Sequence, residues 1–433
     1  MESLGNGKTW NNSESPTKIN KNIKVKGFVK VAKVNSLMMA IVLTANFIAI
    51  LFSSLGFIEE GLLPVLLLTT LLLSYVTAIF KGYRDFRLNK KATLLILLIL
   101  SNFAFTFLFR GLDNFTTNYF IEFLAFGILA YLFTLLPFNA NDVIRFTMLV
   151  GCLILLNPIG FLENNLMMYS DAMKMGATYA ILPSVLAAIV HFFFMGSRIN
   201  IINLIGYISN FYLLFLIITE GSRGAVLSIF LLVSFIIYIK VCQKFNKEDG
   251  ILFPLLFAII LFLLITIIIN LERIFLWLYD LFQSIGIELV VLIKSADLLE
   301  QSGVVGILNG REHIYENSFR IFMESPIWGK GIGIYADMYD GQYPHNIFLQ
   351  LLAEGGFVFI IPFGILIILC FKYIVSPWSN DKITNEIKYL VLVLFLLSVP
   401  RLMFSIYLWQ LQAFWLLLFI FLSVSTYKKT SAN

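Results

Sequence analysis

The sequence predicts an all-α polytopic membrane protein with about twelve transmembrane helices. Hydrophobic residues make up 59% of its 433 residues and charged residues only 13%, whereas a soluble domain is about 25% charged. The mean hydropathy is +0.87. Apolar runs of about 20 residues, the length that crosses the hydrocarbon layer, recur along the chain. Lipid therefore has to cover much of the apolar surface.

The apolar runs and their interruptions give the boundaries of the helices. We expect spans near residues 37–57, 62–80, 92–109, 119–137, 143–159, 177–195, 200–219, 224–240, 251–270, 346–371, 386–400 and 405–425. The predicted organisation is a cytoplasmic Lys-rich tail (1–35), transmembrane helices 1–9 (36–270), a large extracytoplasmic loop (271–345), helices 10–12 (346–425) and a cytoplasmic C-terminal tail (426–433). The Lys-rich tail lacks the apolar region and cleavage site of a signal peptide, so we expect a disordered cytoplasmic extension.

The charged connections orient the chain. Basic residues such as Lys81, Lys240 and Lys372 follow the second, eighth and tenth spans, whereas alternate connections carry acidic residues such as Glu59 and Glu220. Short cytoplasmic loops collect Lys and Arg, so both termini are predicted inside and residues 271–345 outside. Membrane insertion thus accounts for the net charge of +5, and no nucleic-acid partner is expected.

The outer segment 271–345 is far longer than an ordinary connection between helices. Its stretch 274–293 is rich in aromatic residues and is interrupted by Asp280, Gln283 and Glu288. This pattern favours a helix lying in the outer membrane interface, although a re-entrant segment has a similar pattern. The three cysteines, Cys152, Cys242 and Cys370, lie in or near separate apolar runs and predict neither a disulfide nor a metal cluster.

Ser222 and Arg223 open the eighth span on its outer side, between Gly221 and Gly224. Ser222 can cap the free amides of the helix start. Arg223 falls in the first turn, where the helix dipole favours an acid over a base, and a bound anion would explain it. A snorkelling arginine beside ordinary turn glycines is the alternative, and the sequence leaves both open.

The segment Asn309-Gly310-Arg311-Glu312 resembles a capping box with Asn in place of Ser and predicts an amphipathic helix of about 15 residues. The predicted charged face comprises Glu312, Glu316, Arg320 and Glu324, and the apolar stripe comprises Ile314, Tyr315, Phe319, Phe322 and Met323. Arg311 borders the apolar stripe beside the free amides of the helix start, an arrangement that suits phosphate. An ordinary surface arginine remains the alternative.

His345 lies in the segment YPHN, directly before the tenth span. A histidine at a membrane interface is often only a hydrogen-bonded amphipathic residue. By topology, however, Arg223, Arg311 and His345 all lie at the outer starts of helices. We therefore predict that they converge on one site that binds an anion and handles a proton.

Glu354 lies about two turns into the tenth span, where a carboxylate in lipid costs free energy. It is predicted to face the site or a partner helix. The glycines of WGKGIGIY lack the Walker spacing and are predicted to be turn glycines. Asp337 and Asp340 are predicted to belong to a solvated loop, because two carboxylates without further ligands make a poor cation site.

Two stretches resemble the signature region of the O-antigen ligase and polysaccharide polymerase superfamily. In REHIYENSFRIFMESPIWGKGIGIY, from Arg311, an Arg-led helix runs into Pro-x-x-Gly-x-Gly, and in PHNIFLQLLAEGG a His-Asn pair opens a span that contains Glu-Gly. Ser222-Arg223-Gly224 resembles the family's other marker. Lys174, two residues before a glycine, resembles a basic position that is more often arginine in relatives. The twelve-span plan with one large late outer loop is also similar.

The resemblance implies a GT-C-like fold and an inverting, metal-independent glycosyl transfer without a cofactor, at the outer face of the bacterial cytoplasmic (inner) membrane. The donor would be a glycan on a polyprenyl diphosphate, and the acceptor a glycan or lipid-linked molecule. Arg223 and Arg311 would hold the diphosphate, and His345 would accept a proton from the acceptor hydroxyl or orient it. The substrate-binding set is completed by Ser222, Gly310, Asn346, Glu354 and Lys174. Membrane lipid and other polysaccharide-assembly proteins are the further partners expected.

Two alternatives remain open at this point. A polymerase joins repeat units of O-antigen, capsule or exopolysaccharide, whereas a ligase moves the finished chain to lipid A-core or another acceptor; Lys174 and the Lys, Asn and Ile usage favour the polymerase. A lipid-linked oligosaccharide flippase or transporter is an alternative of another class, since KGYRDFR at 81–87 distantly resembles a loop of major facilitator transporters. Transporters place their binding groups near the midplane, whereas the candidates here cluster at the outer rim.

Overall fold

The computed structural model describes residues 16–56, 62–81, 83, 86, 88–163, 171–196, 200–220, 222–244, 271–284, 286, 311–376 and 381–431. Within these ranges all regular structure is helical and no strand occurs. The α-helices are α1 (Pro16–Leu43), α2 (Ala45–Ser54), α3 (Leu62–Phe80), α4 (Lys90–Arg110), α5 (Asn114–Glu122), α6 (Leu129–Leu135), α7 (Ala140–Val150), α8 (Pro158–Leu162), α9 (Asp171–Val190), α10 (Ile201–Glu220), α11 (Arg223–Lys244), α12 (Leu271–Ser284), α13 (Glu312–Glu324), α14 (Ile334–Met338), α15 (Ile347–Val375), α16 (Lys382–Phe404) and α17 (Gln412–Ser431). The predicted all-α class is confirmed.

Helix occupies every predicted span except 251–270, which lies outside the described residues. Among the described residues, six helical stretches are long and apolar enough to cross a membrane, and α1 with α2, bent by 62°, adds a seventh. A π-helical turn (Phe123–Ile128) joins α5 to α6 within one of these stretches. The polytopic membrane class is therefore confirmed, while the number twelve stays a prediction.

The predicted disordered tail is wrong for its second half, because α1 begins at Pro16. Within this helix the side-chain amide of Asn35 donates to the carbonyl oxygens of Phe133 (3.0 Å) and Pro137 (3.2 Å). These bonds satisfy a fully buried polar group and tie α1 to the end of α6. Polar residues that hydropathy assigns to a tail are thus part of the bundle.

The predicted break between spans 386–400 and 405–425 lies at the wrong place, since α16 continues to Phe404 and α17 starts at Gln412. Arg401 therefore belongs to the last turn of α16. Its guanidinium carbon lies 4.5 Å from the ring centroid of Tyr179 on α9, a cation–π contact. This contact stabilises the charged Arg401 inside the helix, which therefore continues one turn beyond its predicted end at residue 400.

Helices α9 and α16 lie at the centre of the bundle. In the most apolar window of each, 72% of the residues are buried, compared with 28% for α15. The lipid-facing surface belongs to the outer helices, where Ile361, Ile365 and Ile368 of α15 are more than half exposed. Helices α9 and α16 thus form the buried framework around which the outer helices pack.

Helix α15 is broken at Gly356, whose φ of +56° only glycine adopts readily. A Cβ atom there would collide with the carbonyl oxygen of Pro326. Four main-chain hydrogen bonds join the segment before α14 to the break: Phe357 N to Pro326 O (2.9 Å), Val358 N to Ile327 O (3.1 Å), Lys330 N to Ala353 O (2.9 Å) and Gly331 N to Glu354 O (3.0 Å). Residues 326–333 are therefore built into the bundle, and we call them the docked segment.

The glycines of the docked segment are turn glycines, as predicted. Gly329, Gly331 and Gly333 have φ values of +69°, +98° and +79°. A side chain at Gly329 would collide with the backbone at Glu354. These glycines let the segment pass close to α15.

Candidate functional site

The end of α16 is the meeting point of three elements that are distant in sequence. The guanidinium of Arg311, at the start of α13, donates to the carbonyl oxygen of Phe404 (2.7 Å). The hydroxyl of Tyr343 donates to the carbonyl oxygen of Ser405 (3.0 Å). The hydroxyls of Ser405 and Tyr179 lie 3.0 Å apart. We call these five residues the Ser405 cluster, and they join α9, α13, α16 and the loop before α15.

Helix α11 starts beside this cluster. Its amide at Ala225 donates to the Ser222 hydroxyl (3.4 Å), so Ser222 caps the helix as predicted, and Arg223 falls in the first turn. The Ser222 amide donates to the Thr178 hydroxyl on α9 (3.5 Å). A Cβ atom at Gly224 would collide with the Tyr179 hydroxyl. Glycine is needed there because α11 approaches α9 so closely.

The three predicted helix starts therefore differ in how they lie relative to the Ser405 cluster. Arg311 belongs to the Ser405 cluster, His345 contacts it through Tyr343, and the backbone of Arg223 lies next to it. The side chain of Arg223 and the whole of Gly310 lie outside the described residues. Helix α13 begins at Glu312 with Arg311 in the capping position, two residues later than a capping box at 309 requires.

Arg401 is a basic residue of the site that sequence reasoning missed. It stacks on Tyr179, and its Nε atom is buried without a hydrogen-bond partner among the described residues. An arginine in an apolar span is a signal of function, because burying the charge costs free energy. Sequence reasoning does not detect this signal, because it assigns residue 401 to the connection between the predicted spans 386–400 and 405–425. Two described arginines thus meet here: Arg311 belongs to the Ser405 cluster, and Arg401 packs on the Tyr179 ring of that cluster.

His345 lies against Tyr343, with 4.1 Å between the ring centroids. Its φ of +53° is in the left-handed region, which few non-glycine residues adopt and which tends to occur at functional sites. The Nδ1 atom is buried and has no hydrogen-bond partner in the described part of the chain. Burial, helped by the nearby Arg311 charge, lowers the pKa of His345 from 6.5 to about 4. The imidazole is therefore neutral at pH 7 and able to accept a proton.

Two of the predicted substrate-binding residues, Asn346 and Lys174, lie at the start of α15 and on α9. Asn346 caps α15, and its side-chain oxygen accepts from the amides of Phe348 (2.9 Å) and Leu349 (3.3 Å). Lys174 lies on α9 one turn before Thr178, whose hydroxyl meets the Ser222 amide. Asn346 thus lies at the start of α15, and Lys174 lies one helical turn from the residue that contacts the start of α11.

Glu354 is 2% exposed and its carboxylate accepts three protein donors. These are the Gln350 side chain (3.0 Å), the Gly333 amide (3.3 Å) and the Trp409 indole (3.1 Å). The Gln350 side-chain oxygen accepts in turn from the Leu408 amide (3.0 Å). Glu354 therefore fastens the docked segment and the connection between α16 and α17 to the upper half of α15.

The docked segment is also held from α4 and α5. The Ile332 amide donates to the Thr106 hydroxyl (3.0 Å), and its carbonyl oxygen accepts from Thr116 (2.8 Å) and Arg110 (3.0 Å). Arg110 also pairs with Asp337 (2.9 Å). Asp337, predicted as a solvated loop residue, thus has a defined partner.

We expect Glu354→Gln to lower the thermal stability of the protein. The amide keeps one acceptor oxygen but turns a donor toward protein donors, which should cost about 1–3 kcal/mol for a group left unsatisfied. Thermal unfolding in lipid nanodiscs measures the change. Glu324→Gln, which alters an exposed pair with Lys330, is the control and should unfold as wild type does. A normal melting temperature together with weaker substrate binding would instead make Glu354 a substrate ligand.

An open pocket of about 370 Å³ adjoins the site on the side of α5. Its walls include Phe115, Asn118, Tyr119, Glu122, Tyr343 and Tyr407. Tyr343, a member of the Ser405 cluster, thus contacts His345 and lines this pocket. Among the described residues, no group of three or more His, Cys, Asp or Glu side chains could hold a metal ion.

Comparison with known proteins gives one match to a family model. Residues 208–364 match a family described as O-antigen ligase. The matched stretch contains the start of α11, Arg311, the docked segment, His345 and the upper half of α15. None of the curated proteins compared with the chain matches it.

Proposed function

We propose that the chain, whose residues 208–364 match a family described as O-antigen ligase, is a membrane glycosyltransferase of the O-antigen ligase and polysaccharide polymerase superfamily. It takes a glycan from a polyprenyl diphosphate at the outer face of the bacterial cytoplasmic membrane and polymerises polysaccharide repeat units. The superfamily and the apolar helices support an enzyme acting on lipid-linked glycan within a membrane. The donor, the polymerising activity and the residue roles are parts of the proposal.

The Ser405 cluster is the observation that carries the proposal. Arg311 belongs to the cluster, Arg401 packs on its Tyr179 ring, and His345 packs on its Tyr343 ring. A diphosphate leaving group needs cations held in place, and an attacking hydroxyl needs an acceptor for its proton. The cluster brings both kinds of group together.

The proposed transfer has one displacement step. The acceptor hydroxyl oxygen attacks the anomeric carbon of the donor sugar, while the bond from that carbon to the diphosphate oxygen breaks and the electron pair leaves with the diphosphate. Arg223 and Arg311 stabilise the departing charge. His345 takes the proton of the acceptor hydroxyl. The attack from the opposite side inverts the anomeric centre.

A ligase is the second candidate function, because the matched family carries that description. The glycan profile of a deletion strain separates the two. Single repeats on the surface acceptor indicate a lost polymerase, and long chains stranded on polyprenyl diphosphate indicate a lost ligase. An unchanged profile, with normal lipid-linked intermediates, would contradict both.

We propose that the site lies outside the cytoplasm, because the predicted topology puts the connections rich in Lys and Arg on the cytoplasmic side. His313→Cys and Lys382→Cys, both at exposed positions in a cysteine-free background, report the two ends. An impermeant thiol reagent on intact cells should label position 313 only. Labelling of 382 alone would reverse the orientation and move the reaction to the other face.

A further inference from the structure

The pocket between α5 and the loop before α15 has walls that suit a sugar. Tyr119 stacks on Tyr407 with 4.8 Å between ring centroids, and Tyr343 meets the same ring edge-on at 5.1 Å. Phe115 adds a fourth aromatic wall. Flat aromatic faces are apolar and rigid, so they match the C–H face of a pyranose ring at a low entropic cost.

Polar groups that can hydrogen-bond to sugar hydroxyls lie among these rings. The Tyr407 hydroxyl donates to Oε1 of Glu122 (2.6 Å). The other carboxylate oxygen, Oε2, is buried and has no hydrogen-bond partner within the described ranges. Asn118 is exposed at the rim of the pocket and offers both a donor and an acceptor. A few polar groups set among aromatic walls are typical of a site that orients a polyhydroxylated ligand.

Tyr343 sets the position of the pocket relative to the reaction. Its ring lies against both His345 and Tyr407, while its hydroxyl bonds to Ser405 on the side of the two arginines. A ligand in the pocket would therefore lie across the Tyr343 ring from the cations. Tyr343 is thus the residue that links a sugar in the pocket to the proton acceptor His345, which packs on the same ring.

We propose that this pocket binds the acceptor glycan, with a neutral pyranose packed on Tyr407 and its hydroxyls bonded to Glu122 and Asn118. The acceptor role of the bound sugar rests on the proposed function, whereas the binding of a sugar does not depend on transfer. The pocket contains no described basic residue, so it is suited to the uncharged sugar and not to the diphosphate of the donor.

The experiment uses the full chain in lipid nanodiscs and the repeat-unit oligosaccharide released from the cell's own lipid-linked glycan. Saturation-transfer NMR measures binding of this oligosaccharide without any reaction. Asn118→Trp fills the rim from an exposed position, and Glu122→Gln removes the carboxylate. Both should weaken binding at least about tenfold, because a site built to hydrogen-bond hydroxyls loses its partners. Asn114→Trp, exposed on the same helix but outside the pocket, is the matched control and should bind as wild type does.

A second measurement assigns the subsite. The oligosaccharide on a short soluble aglycone serves as acceptor, and release of polyprenyl diphosphate by hydrolysis of the donor without acceptor reports the donor side. The two pocket variants should raise the acceptor KM and leave donor hydrolysis unchanged. Slower donor hydrolysis with an unchanged acceptor KM would overturn the assignment and make the pocket a donor subsite. Normal binding by both variants would remove the sugar site while leaving the proposed transfer intact, whereas absence of transfer by wild-type protein that still binds sugar would remove the transferase alone.

Discussion

Arg311→Ala should lower the rate of glycan transfer by about 10²- to 10³-fold, the effect of removing one fixed donor from a developing oxyanion. In the structure the Arg311 guanidinium donates to a neutral carbonyl oxygen at Phe404. A diphosphate offers charge-assisted, bidentate bonds in place of that single bond. Single-turnover transfer by purified protein in nanodiscs measures the loss, and Arg223→Ala should behave in the same way.

Two further variants make this result specific. Arg311→Lys should also be slow, because an ammonium lacks the planar fork that holds two oxygens. Arg320→Ala is the matched control on the same helix: Arg320 is exposed, bonds to Tyr339 (2.7 Å) and should be dispensable. Wild-type glycan from Arg311→Ala present at normal levels would place the anion site elsewhere.

His345→Ala should slow the chemical step by about 10²- to 10⁴-fold, the contribution of a positioned base. Donor binding should change much less, because the cations are left in place. Single-turnover rates at saturating donor, compared with donor affinity, separate the two effects. A wild-type single-turnover rate would remove the base assignment. Loss of wild-type activity on adding a chelator would show that a metal takes part in the transfer.

The pH profile of the wild-type enzyme gives an independent reading of His345. Its pKa is lowered to about 4 by burial and by Arg311, so the neutral, proton-accepting form persists well below pH 6.5. We therefore expect kcat/KM to fall only as the pH approaches 4. The folded protein also binds this proton less readily than the unfolded chain does, so stability due to His345 is lost as the pH falls from 6.5 toward 4. An inflection in kcat/KM near 6.5 would contradict the burial of this histidine.

Backbone conformation offers a control for loss of the imidazole. His345 has a positive φ, which costs about 1 kcal/mol or more for a non-glycine residue. His345→Gly should thus unfold at a higher temperature than His345→Ala, while both variants transfer glycan equally slowly. If His345→Gly regains activity through its improved stability, the histidine has a structural role only.

The helical class and most of the helix positions could be predicted, because a span needs only length and low charge. Hydropathy fails where a polar group is satisfied by a specific partner. Asn35 was assigned to a tail because its bonds to Phe133 and Pro137 are not visible in sequence. Arg401 was assigned to a connection because its contact with Tyr179 joins residues 222 positions apart.

For the candidate site, too, features that depend on neighbours in sequence could be predicted and features that depend on distant contacts could not. Positions at helix starts, such as Ser222 and Asn346, could be predicted as caps because capping depends on neighbours in sequence. The lateral arrangement of these helix ends could not, since it depends on the docked segment and on the end of α16. The aromatic pocket was missed for the same reason: Tyr119, Tyr343 and Tyr407 come from three separate elements and meet only in the fold.

The docked segment also determines where the chain can be spliced. Hydropathy would place the junction between outer loop and bundle at 345/346, yet residues 326–333 bond to the break in α15 and to α4 and α5. A graft that exchanged the whole of 271–345 with the corresponding segment of another protein would separate these donors from their acceptors inside an apolar bundle. A chimera that is to fold must keep Arg311 and everything after it with the host helices. The exchanged part of the outer segment therefore has to end before Arg311.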